Sequence, residues 1–308
     1  MTVAAIAALS GTAMAADIGG APDGPLRGSF TTEFGTRVWL GYGTTSKTLS
    51  NPAGTALNSR LTYGGLGSGS AELFGRISAD DFFLSGYAAL GAMPGGTLQD
   101  EDFPPSLSPY SSTQSPLQNG SLNYLTVDVG HNFYDVPGTR LGGFVGYNYL
   151  NQQVNAFGCT QDGANPRVCV PAISNATAVI SQTNTWQSLR LGLSGDMQLH
   201  GPWTLSGEGA VLPYVSLHGA DTHWLRIPSS FTGPIPEDGT GWGVQLQAML
   251  DYHVNDHLSL GIGGRYWQMQ ATGQAHFEDH VTRGGGVAQP LTWNTGIAGI
   301  LTEAKASF

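Results

Sequence analysis

"HLSLGIGGRYW", residues 257–267, decides how the chain is read. Leu258, Leu260, Ile262 and Tyr266 fall on one face, and Ser259, Gly261, Gly263 and Arg265 on the other. A repeat of two is that of a β-strand. One apolar face and one small or polar face fits a barrel strand with lipid outside and a polar lumen inside. A soluble sandwich would alternate in the same way, so the neighbouring segments must separate the two.

The connections do so. "SADD" (78–81), "DVPG" (135–138), "LHGP" (199–202) and "VNDH" (254–257) are short turns. Between them lie long polar connections at 44–57, 95–120, 158–182, 227–240 and 281–290. Short turns at one end and long loops at the other match the two rims of an outer-membrane barrel. Ten strands follow, at about 29–43, 58–77, 82–94, 121–135, 139–157, 183–199, 203–226, 241–254, 257–280 and 290–308. Several exceed the ~10 residues needed to cross a bilayer, so they should project beyond it on the loop side. The expected fold is all-β: a closed antiparallel ten-stranded transmembrane β-barrel with long extracellular loops. Closure leaves no strand edge exposed to lipid. Phe308, ending the amphipathic "ILTEAKASF", resembles the assembly signal of bacterial outer-membrane proteins.

Charge narrows the function. Twelve Lys and Arg against 22 Asp and Glu give a net charge of −10, the wrong sign for a nucleic-acid partner. The start, "MTVAAIAALSGTAMAADIGG", ends its apolar run at Ala13-Met14-Ala15 and reads as a secretory signal over 1–15. Residues 16–308 then form one domain. Cys159 and Cys169, in "CTQDGANPRVC", are expected to form a disulfide in an oxidising compartment. A metal pair is the weaker reading, because no nearby His completes a site. Trp186, Trp203, Trp224, Trp242, Trp267 and Trp293 read as interfacial girdle residues, and Arg265 and Glu208 as charges paired in the lumen.

"GGTLQDEDF" (95–103) places Asp100, Glu101 and Asp102 side by side with no basic neighbour in the sequence. A solvated loop tip would account for them, whereas a calcium motif would need more ligands than the triplet supplies. "GADTHW" (219–224) offers Asp221 and His223 two residues apart, on one side of an extended strand. There an acid can orient an imidazole that acts as a general base.

"GGTLQDEDF", "GSLNYLTVDVGHNF" (120–133), "RLGGFVGYN" (140–148) and "GADTHW" together resemble successive landmarks of the omptins, outer-membrane proteases of Gram-negative bacteria. The resemblance runs from about Arg37 to Phe308. It implies a ten-stranded barrel and an extracellular groove in which Asp100 and Asp102 face Asp221 and His223. It implies an aspartic-type endopeptidase acting on a peptide or protein through an activated water, without cofactor or metal. The acids that select basic P1 residues in omptins fall here on Leu49 and Gly219, so the pocket should prefer small or apolar side chains. Of the lipopolysaccharide-binding positions, Tyr147 keeps the aromatic partner, while Asn151 and Thr185 replace basic residues. A monomer in contact with outer-membrane lipid is expected. The alternative is an omptin-like barrel without protease activity, acting as an adhesin, structural or recognition protein. A porin ranks below both, because ten strands enclose a lumen that side chains largely fill.

Alternation raises one conflict. Counting in twos from Leu205 through Val211 and Val215 points Asp221 and His223 at lipid. A β-bulge near Leu212-Pro213 would reverse the parity.

Overall fold

The structure is a computed structural model, and it describes residues 30–103, 108–163 and 165–308. The expected signal segment, 1–15, lies outside the described residues. Among them, ten strands close into one antiparallel ring. They are β1 (Phe30–Ser50), β2 (Leu57–Ala79), β3 (Phe82–Asp102), β4 (Ser111–Val136) and β5 (Thr139–Gln161). The ring continues with β6 (Ile173–Gln198), β7 (Trp203–His223), β8 (Ile235–His253), β9 (Leu258–Ala275) and β10 (Gln289–Ser307). Each strand pairs with its sequence neighbours, and β1 pairs with β10 along Glu33↔Ser307 to Leu49↔Leu291. At the seam Phe308 exchanges two backbone hydrogen bonds of 2.9 Å with Thr32. Its ring stacks on Phe34, with centroids 5.7 Å apart.

The turns at one end are tight because their residues permit it. Asp80 carries φ 52° between β2 and β3, a left-handed angle that Asp tolerates. Pro137-Gly138 joins β4 to β5 with Gly138 at φ 83°, as the third position of a type II turn requires.

Leu258, Leu260 and Ile262 point outward and Ser259 and Arg265 inward, as the alternation requires. Exposed Phe82, Leu84, Leu125, Val129, Leu191, Leu193, Leu246 and Ile300 belong to an apolar outer belt. Exposed Tyr42, Tyr147, Tyr214, Trp242 and Tyr266 mark its upper edge. Beyond Tyr42 the outward positions of β1 become Thr44, Ser46 and Thr48, and the wall leaves the apolar zone.

The upper connections differ from expectation. They span 51–56, 103–110, 162–172, 224–234 and 276–288, because the strands continue through most of the segments read as loop. Above the belt both faces lose the apolar contrast. The outer face is polar and the inner face carries Lys47, so the sequence there resembles a loop while the backbone remains paired.

The lumen is filled. Arg265 is surrounded by the rings of Trp39, Tyr87, Tyr124 and Trp267 at 4.5–5.6 Å. It donates to Glu72 at 2.7 Å. Arg190 pairs with Asp128 at 2.9 Å and Glu208 at 3.2 Å. Arg265 and Glu208 thus both lie in the lumen, each with a different partner. Breaking such a pair strands a buried charge, at a cost of roughly 3–5 kcal/mol. Trp186, Trp267 and Trp293 are also buried in the interior, against the girdle reading, whereas Trp203, Trp224 and Trp242 are exposed. An indole at a strand's upper end fills the barrel as readily as it meets the interface, and its parity decides which.

Candidate active site

Asp100 and Asp102 stand on the last turns of β3, a paired strand rather than a loop, opposite Leu61 and Ser59 of β2. Their inward direction depends on a bulge. Met93 and Leu98 both point inward although they lie five positions apart, an odd step that regular alternation would place on opposite faces. Between them lies Pro94-Gly95-Gly96, where the β2 register shifts and Gly96 takes φ 141°. Without that shift Glu101 would face inward and its neighbours outward. Instead Glu101 meets Arg60, its cross-strand partner, at 2.7 Å. The acid run therefore has a basic neighbour, supplied by the adjacent strand and hidden from a linear reading.

β7 uses the same device. From Leu212 to Val215 it advances three residues while β8 advances two, from Gly243 to Gly241. Leu212 and Val215 are both buried, and Tyr214 between them is exposed. The bulge lies where the conflict required it, and it points Asp221 and His223 inward. In the closed ring β6, β5 and β4 stand between β7 and β3 on one side, so the two motifs face each other across the lumen.

His223 Nε2 lies 3.1 Å from Asp221 Oδ2. A carboxylate only accepts, so Nε2–H donates and Nδ1 keeps its lone pair. The imidazole also lies against Phe231, with centroids 5.6 Å apart. Phe231 belongs to the 224–234 connection, which bridges to the 276–288 connection through Phe231↔Val281. His223 and Asp100 line one cavity of about 260 Å³ with Leu98, Ile180, Arg226 and the cysteines. The Cys159–Cys169 disulfide, with Cα atoms 5.5 Å apart, anchors that wall.

Burial lifts the Asp100 carboxyl to about 6, and the charge of Asp102 adds to the lift while His223 offsets part of it. Burial also raises Asp102, against the opposing charges of Arg226 and His223. The pair holds a proton more readily than a solvated carboxylate. Asp221 is the opposite case. Burial acts upward, but the charges of His223 and Lys47 outweigh it and hold Asp221 below the usual carboxylate range.

Lys47 is the residue that sequence reading missed. Its ammonium donates to Asp221 Oδ2 at 2.6 Å, Glu237 Oε1 at 2.7 Å and Gln182 Oε1 at 3.0 Å. Gln182 in turn donates to Glu237 Oε2 at 2.8 Å and Asn184 Oδ1 at 2.9 Å. Lys47 and Glu237 lie in stretches read as loops, 44–57 and 227–240. The clue was Thr45-Lys47-Leu49, alternating with Thr44-Ser46-Thr48 in a chain with only twelve Lys and Arg.

Leu49 lies two residues beyond Lys47 on the same strand and packs on the interior cluster. Gly219 leaves space for Glu237: a Cβ at that position would lie 2.8 Å from Glu237 Oε2. Leu49 and Gly219 bring no charge of their own to this region. Glu237 supplies a carboxylate from the neighbouring strand, and Lys47 is bound to it. On the outer wall, Tyr147 is exposed and donates to Gln187 at 3.0 Å, and Asn151 donates to Thr185 at 3.0 Å.

No protein-family model and no curated protein sequence matches the chain. Among solved structures, the fold is similar to that of the outer membrane protease OmpT from Escherichia coli. The TM-score is 0.69 at 15% identity, over 91% of this chain and 98% of that one. The outer membrane protein OprG from Pseudomonas aeruginosa follows with a TM-score of 0.36 and 9% identity, over 89% and 96% of the two chains. The translocator domain of the autotransporter NalP from Neisseria meningitidis gives 0.35 and 11%, over 88% of each. The first establishes a shared fold, and the other two are too distant to support an argument.

Proposed function

We propose that this barrel is an endopeptidase of the bacterial outer membrane, with its groove opening to the outside. One observation carries the reading: His223, hydrogen-bonded to Asp221, lines one cavity with Asp100, whose carboxyl is lifted by burial and by Asp102. A carboxyl that takes up a proton more readily than a solvated one, opposite an oriented base, suits water-mediated peptide hydrolysis. Asp100 and Asp102 hold a water against the scissile carbonyl. His223 Nδ1 takes a proton from that water as its oxygen bonds to the carbonyl carbon. Asp221 stabilises the imidazolium. The C–N bond then breaks as the amine nitrogen receives a proton from the site, leaving a carboxylate and an amine. The substrate is a peptide or protein segment lying in the groove, and the barrel acts as a monomer among outer-membrane lipids.

A second reading, a recognition barrel without catalysis, draws support from Lys47, which engages the carboxylate that would otherwise serve His223 alone. A digest separates them. Refolded protein in detergent is incubated with a peptide library and the products are sequenced by mass spectrometry. Wild type should cleave, and His223→Ala should lose a factor of about 10²–10⁴. Equal product from both, or none from wild type, would leave the recognition reading.

A further inference from the structure

Lys47 is a cation that the chain supplies to itself. All three of its N–H donors are used, within 3.0 Å, by Asp221, Glu237 and Gln182. The shell comes from β6, β7 and β8, while the ammonium arrives from β1 across the barrel. The shell was therefore built by neighbouring strands and is filled from the far side. Gly219 has no side chain where Glu237 must stand. Asp221 Oδ1 and the Tyr63 hydroxyl are buried with no hydrogen-bond partner among the described residues. Their environments overlap, since Tyr63 is influenced by the charges of Asp221, Glu237 and Asp100. The shell also touches the chemistry, because Asp221 Oδ2 meets both Lys47 and His223.

We propose that Asp221, Glu237 and Gln182 form an alkylammonium pocket beside the Asp–His pair, and that Lys47 occupies it as a built-in ligand that excludes cationic substrate side chains. With Lys47 in place, two carboxylates face one internal ammonium, and an incoming lysine side chain would have to displace a lysine tethered to the same molecule. A tethered group has a high effective concentration and wins. Without Lys47 the two carboxylates stand buried with only the N–H groups of His223 and Gln182 as partners and no cation between them, a costly state that an external cation relieves. The specificity half of this proposal rests on the protease reading, whereas the binding half does not.

The experiment uses refolded full-length wild type, Lys47→Ala and the double variant Lys47→Ala/Glu237→Gln. Thermal unfolding is followed with n-butylammonium, and with n-butanol as the uncharged control. Lys47→Ala should be stabilised by the ammonium and not by the alcohol, while wild type and the double variant should respond to neither. If Lys47→Ala does not fold alone, it is refolded with n-butylammonium present; recovery of the barrel supports the proposal and failure to recover overturns it. In the peptide library, Lys47→Ala should raise cleavage beside Lys relative to uncharged residues by about tenfold or more. Ammonium binding without cleavage by any form would sink the protease reading alone. Cleavage with an unchanged side-chain preference would sink the specificity half, and no response of Lys47→Ala to ammonium would sink the pocket.

Discussion

Asp100, Glu101 and Asp102 are three adjacent carboxylates with two fates. Glu101 is paired with Arg60 on the outside of the barrel, a part-exposed bridge worth at most about 1 kcal/mol. Asp100 faces inward, where burial lifts its carboxyl from 3.8 to about 6. A raised folded-state value favours the folded protein only while the group is protonated. That contribution is complete below about pH 4 and is lost as the pH rises through about 6. Above that, Asp100 opposes folding by up to about 3 kcal/mol. Asp100→Asn should therefore raise the unfolding midpoint at pH 8 and leave it nearly unchanged at pH 4, as read by denaturant titration at both values. A loss of stability at pH 8 would show that the charged carboxylate is well accommodated. Such an acid is stabilising only where its proton is used, consistent with a site maintained for function at some cost in stability.

Among the elements, the strands that carry the site are bent off simple alternation at two places. β3 shifts at Pro94-Gly95-Gly96 and β7 at Pro213-Tyr214, and each shift reverses which face the next residues occupy. Proline suits such positions because it has no N–H to lose from the ladder. Below the bulges, alternation serves the lipid belt, and above them it serves the groove. Deleting Tyr214 alone should restore regular pairing and turn Asp221 and His223 outward, while the lower half of β7 keeps its register. The expected result is a barrel that still migrates as a folded species on unheated gels but has lost cleavage. Retained cleavage would mean that the dyad does not depend on the bulge for its direction.

In the whole molecule, closure and filling work together. The ring leaves no edge strand among the described residues, and the Arg265 cluster blocks the space it encloses. Reconstituted in a planar bilayer, the protein should give no steady porin-like conductance. Arg265→Met would leave Glu72 with a single cation, Arg37, 3.2 Å away, and should destabilise the barrel by roughly 3–5 kcal/mol. Heat-modifiable gel mobility reads that loss, and an unchanged midpoint would show that Arg37 alone is a sufficient partner.

The sequence by itself determined the strand count, the closed antiparallel ring and the outward face of the belt. These are local and periodic: a strand between a polar lumen and lipid must alternate, and tight turns need Asp80, Pro137 and Gly138. Even the β7 bulge was legible, because strict parity put a charged pair into lipid. Only the tertiary structure decided where the loops end, since polar outer positions above the belt look like loop in one dimension. It alone decided that Trp186, Trp267 and Trp293 fill the interior, that Glu101 has a partner, and that Lys47 and Glu237 meet at Asp221. Lys47 and Asp221 are 174 residues apart and their strands do not adjoin. No local pattern records such a contact, because it forms only when the sheet closes and opposite walls share one lumen.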